Sequence, residues 1–167
     1  MNKLIYKGKI FEVRIEEIFI NNKKLQRDIV YHPGAVAILV KNENKFLFIK
    51  QYRNAAREKL IEIPAGTLEL NENPYEAAKR ELLEEAGIKT DKLIFLLNFF
   101  VAPGYCSEII HLFYTEEFEI TNNNPEEGED IEILWIDIEK AYEMIRNNEI
   151  KDAKTIIALS YYKQFFR

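Results

Sequence analysis

One cysteine, Cys106, and two histidines, His32 and His111, stand in a chain of 167 residues. A single thiol excludes an internal disulfide framework and any multi-cysteine zinc or iron–sulfur site, and it matches a reducing cytoplasm. Long apolar runs are missing too: no stretch approaches the ~20 residues needed to cross a bilayer. From Met1 to Ile20, charged and apolar residues alternate where a secretory signal would carry a continuous apolar segment. A cytoplasmic protein is therefore expected, with no membrane partner. Positive charge is in the minority: 23 Lys and Arg against 28 Asp and Glu leave a formal charge of −5. Nonspecific binding to nucleic acid is not expected from that balance. Glycine is scarce, with six residues against a usual share of ~7%. Gly34, Gly66, Gly87, Gly104 and Gly128 all fall at expected element ends.

What is present is apolar enough for one core: 47% of residues are hydrophobic and 13% aromatic. Short alternating bursts at residues 10–15, 25–31, 35–40, 46–49 and 60–63 read as strands, and the Pro64–Gly66 stretch after them reads as a turn. Pro74 suits a first helical residue, with Asn73 as N-cap, an apolar stripe through Ala77, Ala78, Leu82 and Ala86, and Gly87 as the stop. Strands at residues 93–101, 109–118 and 131–136 and two closing helices at 138–147 and 152–166 complete an α+β, mixed-sheet pattern. His32 reads as a turn residue, His111 as a structural strand residue, and Cys106 as a buried small side chain.

The central helix carries the chemistry. Glu81 and Glu85 are four apart and share a face, joined by Glu84 and Arg80. Like charges at that spacing destabilise an isolated helix by a few tenths of a kcal/mol, so helix propensity gives no reason for them. A bound Mg²⁺ or Mn²⁺ would, because carboxylate oxygens are the preferred ligands of such cations. A surface patch neutralised by Arg80 and Lys79 is the other reading of the helix taken alone.

The wider spacing decides between them. Gly66, five residues, Glu72, seven residues, then Arg80-Glu81-Leu82-Leu83-Glu84-Glu85-Ala86-Gly87-Ile88 resembles the signature of the Nudix hydrolases at every defined position. A chance match in a chain of this length is on the order of 10⁻⁸ to 10⁻⁷. The resemblance implies a Nudix fold, a mixed sheet sandwiched between helices. It also implies Glu81 and Glu85 as principal metal ligands, Glu84 as a further one, the Ala65 carbonyl as a main-chain ligand, and Arg80 with Glu72 as a buttressing pair. Family members hydrolyse a nucleoside diphosphate linked to another moiety.

Outside this box, Gln51-Tyr52-Arg53, the Leu60 to Glu69 segment and Pro103, sixteen residues beyond Gly87, are similar to the ADP-ribose pyrophosphatases of the family. That resemblance implies Mg²⁺-dependent hydrolysis of ADP-ribose to AMP and ribose 5-phosphate, with another ADP-sugar, NADH or FAD as the alternative substrate. A ligand-sensing module without catalysis is disfavoured by the intact glutamates. Arg27 and Arg53 look like arginines near the adenine and phosphates, against a surface ion pair as the alternative. Phe11 resembles an adenine-stacking aromatic, whereas its strand alternation reads as core. Glu62 matches a contact to the terminal ribose, or is an outward strand residue without function. Pro103 and Gly104 lie in the substrate loop of the same pattern. The acidic run Glu126-Glu127-Gly128-Glu129-Asp130 resembles a loop that supplies the general base, Glu127 or Glu129. Related enzymes are homodimers in which N-terminal strands reach the partner's site. The expected division is therefore residues 1–34 as an N-terminal strand segment and 35–167 as the hydrolase domain.

Overall fold

The computed structural model describes residues 2–122 and 130–166. Three N-terminal strands, β1 (Asn2–Lys7), β2 (Glu12–Ile20) and β3 (Lys23–Tyr31), form an antiparallel sheet of their own in the order β1-β2-β3. Asn21 and Asn22 both have positive φ, 49° and 62°, which gives β2 and β3 the two-residue hairpin turn that matches strand twist. The strand expected from residue 10 begins at Glu12. Ile10 and Phe11 belong to the preceding turn, where Gly8 N–H donates to the Phe11 carbonyl at 2.9 Å.

After His32, Pro33 and Gly34 the chain enters a seven-stranded mixed sheet. Its members are β4 (Ala35–Asn42), β5 (Lys45–Arg53), β6 (Glu58–Glu62), β7 (Ala65–Thr67), then helix α1 (Pro74–Ala86) and β8 (Ile88–Lys89), which lies outside the sheet. They continue with β9 (Ile94–Phe100), β10 (Ile109–Thr115), β11 (Glu119–Ile120), again outside, and β12 (Glu132–Asp137), followed by α2 (Ile138–Arg146) and α3 (Ala153–Phe165). The main path runs β12-β5-β4-β10-β9, with β6 beside β5 and β7 beside β4; only the β10–β4 pair is parallel.

The continuous apolar run of β4 is explained by burial on both faces. Val36, Ile38 and Val40 pack with Ala77, Ala78, Leu82 and Ala86 of α1 on one side. Ala35, Ala37 and Leu39 pack on the other with Ala141, Tyr142 and Met144 of α2 and Ala158, Leu159 and Tyr162 of α3. The sheet is therefore sandwiched between helices, as its resemblance implied.

Helix α1 begins and ends where its residues require. The Asn73 side chain accepts from Tyr75 N–H at 2.8 Å, Pro74 opens the first turn, and Gly87 takes the left-handed conformation with φ 62°. Three features depart from the sequence reading. The stretch after Pro64 is a short strand, β7, held to β4 in the register Ala37↔Ala65 and Ala35↔Thr67. The strand expected to reach residue 118 ends at Thr115, because the Thr90 and Thr115 hydroxyls both donate to the Glu117 carbonyl and pull the backbone into a turn. Beyond that turn, β8 and β11 pair, two residues each; segments that short carry no periodicity to read.

Leu82 is fully buried between α1 and β4. Leu82→Ala should lower stability by about 2–5 kcal/mol, measured as a lower urea midpoint at an unchanged denaturant slope; a shift under about 1 kcal/mol would mean that α1 is not anchored through this residue.

Candidate functional site

Sheet register delivers α1 and β7 to each other. Pro64 carbonyl accepts from Ile38 N–H at 2.9 Å, so the next peptide faces the other way and Ala65 N–H donates to Glu85 Oε2, also at 2.9 Å. In an extended strand the N–H and C=O of one residue leave by the same edge. The Ala65 carbonyl is thus directed to the helix side as well. One residue on, Gly66 passes so close to the helix that a Cβ there would lie 1.9 Å from Glu81 Cδ. Any larger residue there would displace the Glu81 carboxylate from its place.

Arg80 organises the helix side. Nε and Nη2 grip the two oxygens of Glu72 at 2.9 and 3.1 Å, Nη1 donates to Glu81 at 2.8 Å and Glu84 at 2.9 Å, and Nη2 reaches the Thr67 carbonyl at 3.3 Å. Five hydrogen bonds match the five N–H groups of a guanidinium. The bidentate bond from Arg80 holds the Glu72 carboxyl below the usual carboxylate range, and the same bond raises Arg80.

A second charged cluster lines the same cleft, whose volume is about 900 Å³. Glu62, only 1% exposed, takes Arg53 Nε at 2.8 Å and Arg53 Nη2 at 2.7 Å, and is also bonded to Lys154 Nζ. Lys154 reaches Asp152 Oδ1 at 3.0 Å, and Asp152 caps α3 by accepting from Thr155 N–H. Burial pushes the Glu62 carboxyl up, but the bonds from Arg53 and Lys154 outweigh it and hold the group below its ordinary value. Arg53 is correspondingly raised by its bond to Glu62.

The structure brings Ala65, Glu81, Glu84, Glu85 and Arg53 to the wall of this cleft. Glu62 sits behind Arg53, buried and doubly paired, which corrects its reading as an outward strand residue. Phe11 is 41% exposed, so the core reading of this aromatic is corrected. It lines a smaller pocket of about 330 Å³ that meets the cleft at Lys9, Ile10 and Pro33. Arg27 lies on β3 outside both, exposed and donating to the Gln26 carbonyl at 2.9 Å. Pro103 and Gly104 lie in a turn that does not line the cleft; it is stitched to β3 by Val30 N–H to the Tyr105 carbonyl and Ser107 N–H to the Val30 carbonyl. Cys106 bridges to Val30 and is half-buried. Glu127 and Glu129 lie outside the described residues.

Sequence reading missed Lys154, Asp152 and Lys9 as cleft residues. One signal for Lys154 was present: a cation in the first turn of a helix is disfavoured by the macrodipole, so a carboxylate partner is expected, and Asp152 two residues before it is one.

The donor set fits a hard divalent cation. Three carboxylates line the cleft from one helix, Glu81 sits against the glycine cradle, and a main-chain carbonyl edge lies beside them. Among the described residues these oxygens are not drawn into a three-ligand cluster, because Glu81 and Glu84 are turned onto Arg80 Nη1.

The model of the NUDIX domain family matches residues 30–159. The chain is 38% identical over 161 residues to an ADP-ribose pyrophosphatase of Bacillus subtilis (strain 168), covering 94% of this chain and 87% of that one. It is 35% identical, with the same coverage, to a methanol dehydrogenase activator of Bacillus methanolicus. A crystal structure of an ADP compounds hydrolase superposes with a TM-score of 0.82 over 99% of this chain and 91% of its own, at 18% identity, a likeness of fold.

Because the folded Glu62 carboxyl ionises below its ordinary value of 4.5, its pairing stabilises the protein above that pH and is lost as pH falls through the folded value. Urea midpoints should therefore drop on acidification below about pH 4.5, and Glu62→Gln should flatten that part of the profile. An unchanged profile in the variant would show that Glu62 is not held ionised by Arg53 and Lys154.

Proposed function

The chain belongs to the Nudix family, and from that premise we propose that it is a divalent-cation-dependent pyrophosphohydrolase that cleaves ADP-ribose to AMP and ribose 5-phosphate. The observation that carries this reading is the pairing of a carboxylate wall on α1 with a cationic wall at Arg53 in one cleft of about 900 Å³. A diphosphate ester needs both, and the volume suits a ligand of dinucleotide size. The identity to the B. subtilis ADP-ribose pyrophosphatase, spread over 94% of the chain, supports the choice of substrate.

Glu81, Glu84, Glu85 and the Ala65 carbonyl are the residues that would hold Mg²⁺, with Mn²⁺ able to replace it. A cation bound there neutralises diphosphate charge and orients water for attack at phosphorus. The protein's own contribution is positional. Ala65 N–H fixes Glu85, Gly66 leaves room for Glu81, and Arg80 keeps the carboxylates from repelling one another until a cation arrives. Arg53, anchored on Glu62, presents its remaining N–H groups to a phosphoryl oxygen. The proton released by water passes to a carboxylate of the acidic loop, Glu127 ahead of Glu129. Phe11, Arg27, Pro103 and Gly104 lie away from the α1 glutamates in this chain. We assign Phe11 and Arg27 to the site of a second copy, within a homodimer built on the β1-β2-β3 sheet. That sheet carries apolar side chains in water, including Phe19 at 73% exposure together with Leu4, Ile5 and Ile20, a surface of the kind that marks an interface.

Incubation with ADP-ribose and Mg²⁺ should yield AMP and ribose 5-phosphate in equal amounts. Glu81→Gln or Glu85→Gln should lower kcat at least about 100-fold with the fold retained; Glu127→Gln should lower it by ~10²–10⁴-fold, more than Glu129→Gln. Turnover of NADH, FAD or another ADP-sugar without turnover of ADP-ribose would move the assignment to that substrate. Light scattering should give twice the 19.8 kDa chain mass. A monomer with full activity at nanomolar concentration would remove the shared-site arrangement.

A further inference from the structure

We propose that His32 is a proton-operated switch in the joint between the N-terminal sheet and the mixed sheet: neutral, it fixes Gly34 beside the cleft wall, and protonated, it releases Gly34 and pairs with Glu108. The switch itself does not depend on which diphosphate is cleaved; its reach into substrate binding rests on the pyrophosphohydrolase reading.

The joint consists of His32, Pro33 and Gly34, between β3 and β4, and it is pinned to the loop that leads into β10. His32 N–H donates to Ser107 Oγ at 2.9 Å, and the Ser107 hydroxyl donates to the His32 carbonyl at 3.3 Å. Gly34 is buried with φ at 101°, and its carbonyl accepts from Leu68 N–H at 3.0 Å. Pro33 and Ala35, on either side of Gly34, both line the cleft, as does Glu108. Moving the joint therefore moves the cleft wall.

The His32 imidazole stands between a donor and an acceptor. Gly34 N–H donates to Nδ1 at 3.1 Å, while Glu108 Oε1 lies 3.8 Å from the same atom. The first contact needs a lone pair on Nδ1, so the neutral ring carries its proton on Nε2. In that form Nδ1 has nothing to donate to Glu108. A proton on Nδ1 reverses both relations. It ends the acceptance from Gly34, leaving a buried N–H without its partner, and it turns the approach to Glu108 into a charge-assisted pair. The two arrangements exclude each other and differ by one proton, which is the requirement for a histidine switch.

The other charges around the ring do not compete for this proton. Among the described residues, the smaller pocket that His32 lines also receives Lys7 and Lys9 from β1 and the turn after it, Glu12 from β2 and Tyr31 from β3. Glu12 is already met by Arg14 at 2.6 Å and Lys7 at 3.1 Å, and Arg14 lies over the Tyr31 ring at 5.4 Å. Tyr105 and Cys106 precede Ser107 on the pinning loop. Lys7 and Lys9 oppose a cation on His32, and Glu108, facing Nδ1 itself, favours it. The His32 side chain is 11% exposed and that of Glu108 24%, so their pairing is only partly screened by water.

The test compares the wild type with His32→Asn at about pH 8 and about pH 5.5, a span over which an imidazole changes charge. An asparagine carbonyl accepts from the N–H two residues on, as in an Asx turn, and takes up no proton. Isotopic labelling of proline carbonyls and glycine nitrogens selects the amides of Gly34 and Gly104, the glycines that follow a proline, with Gly104 as the control. On acidification the wild-type Gly34 resonance should move, and its protection from hydrogen exchange, corrected for the intrinsic pH dependence, should fall at least about 10-fold; in His32→Asn neither should change. A Gly34 amide that behaves alike in the two proteins overturns the switch. The KM for ADP-ribose in Mg²⁺ should rise at least about 3-fold more on acidification in the wild type than in the variant. Equal rises overturn the reach of the switch into the cleft. If His32→Asn does not fold, the wild type decides alone: the His32 ring nitrogens and the Gly34 amide should titrate with one midpoint, and separate midpoints or a static Gly34 overturn the proposal. A wild-type protein that cleaves no ADP-ribose overturns the pyrophosphohydrolase reading and leaves the Gly34 measurements to decide the switch.

Discussion

Three carboxylates on the last two turns of α1, where the helix macrodipole is already negative, form the constraint around which this site is arranged. Left alone, Glu81, Glu84 and Glu85 would repel one another and the helix end. Two devices meet them. Arg80 lies between Glu81 and Glu84, Ala65 N–H reaches Glu85, and Glu72 holds Arg80 in place from the loop before the helix. Arg80 therefore acts as an internal counterion for two of these charges while leaving them at the cleft wall. Its full set of hydrogen bonds also makes it a poor ligand for anything else.

These devices work because β7 is held against β4 in one register. A shift by a single residue would send Ala65 N–H back toward β4 and bring a side chain where Gly66 now passes Glu81. Register here is fixed by the two-sided burial of β4 and by the Ile38-to-Pro64 hydrogen bond. Thr155 adds a clamp from the opposite face of the sheet through Ile63. The packing of both helical layers thus converges on three consecutive residues, Pro64, Ala65 and Gly66.

Much of this was legible in the sequence where a local rule has a unique solution. Asn73, Pro74 and Gly87 mark the ends of α1 because each end has unpaired backbone groups that few residue types satisfy. The spacing from Gly66 to Gly87 encodes the glutamate wall for a related reason: a side chain at the close approach would push the Glu81 carboxylate out of place. What escaped is decided by tertiary contact. Glu62 alternates like an outward residue, yet Arg53 of β5 and Lys154 at the start of α3 close over it. Phe11 follows a strand pattern, yet the turn at Gly8 takes it out of the strand and into a pocket wall. No alternation rule contains either outcome.

The two clusters share a logic. In each, charge stands where the helix dipole disfavours it: anions near the C-terminal end of α1 and a cation at the N-terminal end of α3. In each, a buried or half-buried partner of opposite sign holds the charge without removing it from the cleft, Arg80 on one side and Glu62 on the other. Local conflicts of this kind persist only where the surrounding structure over-determines them. Two such conflicts of opposite sign line one cleft and are tied together through Thr155 and Ile63.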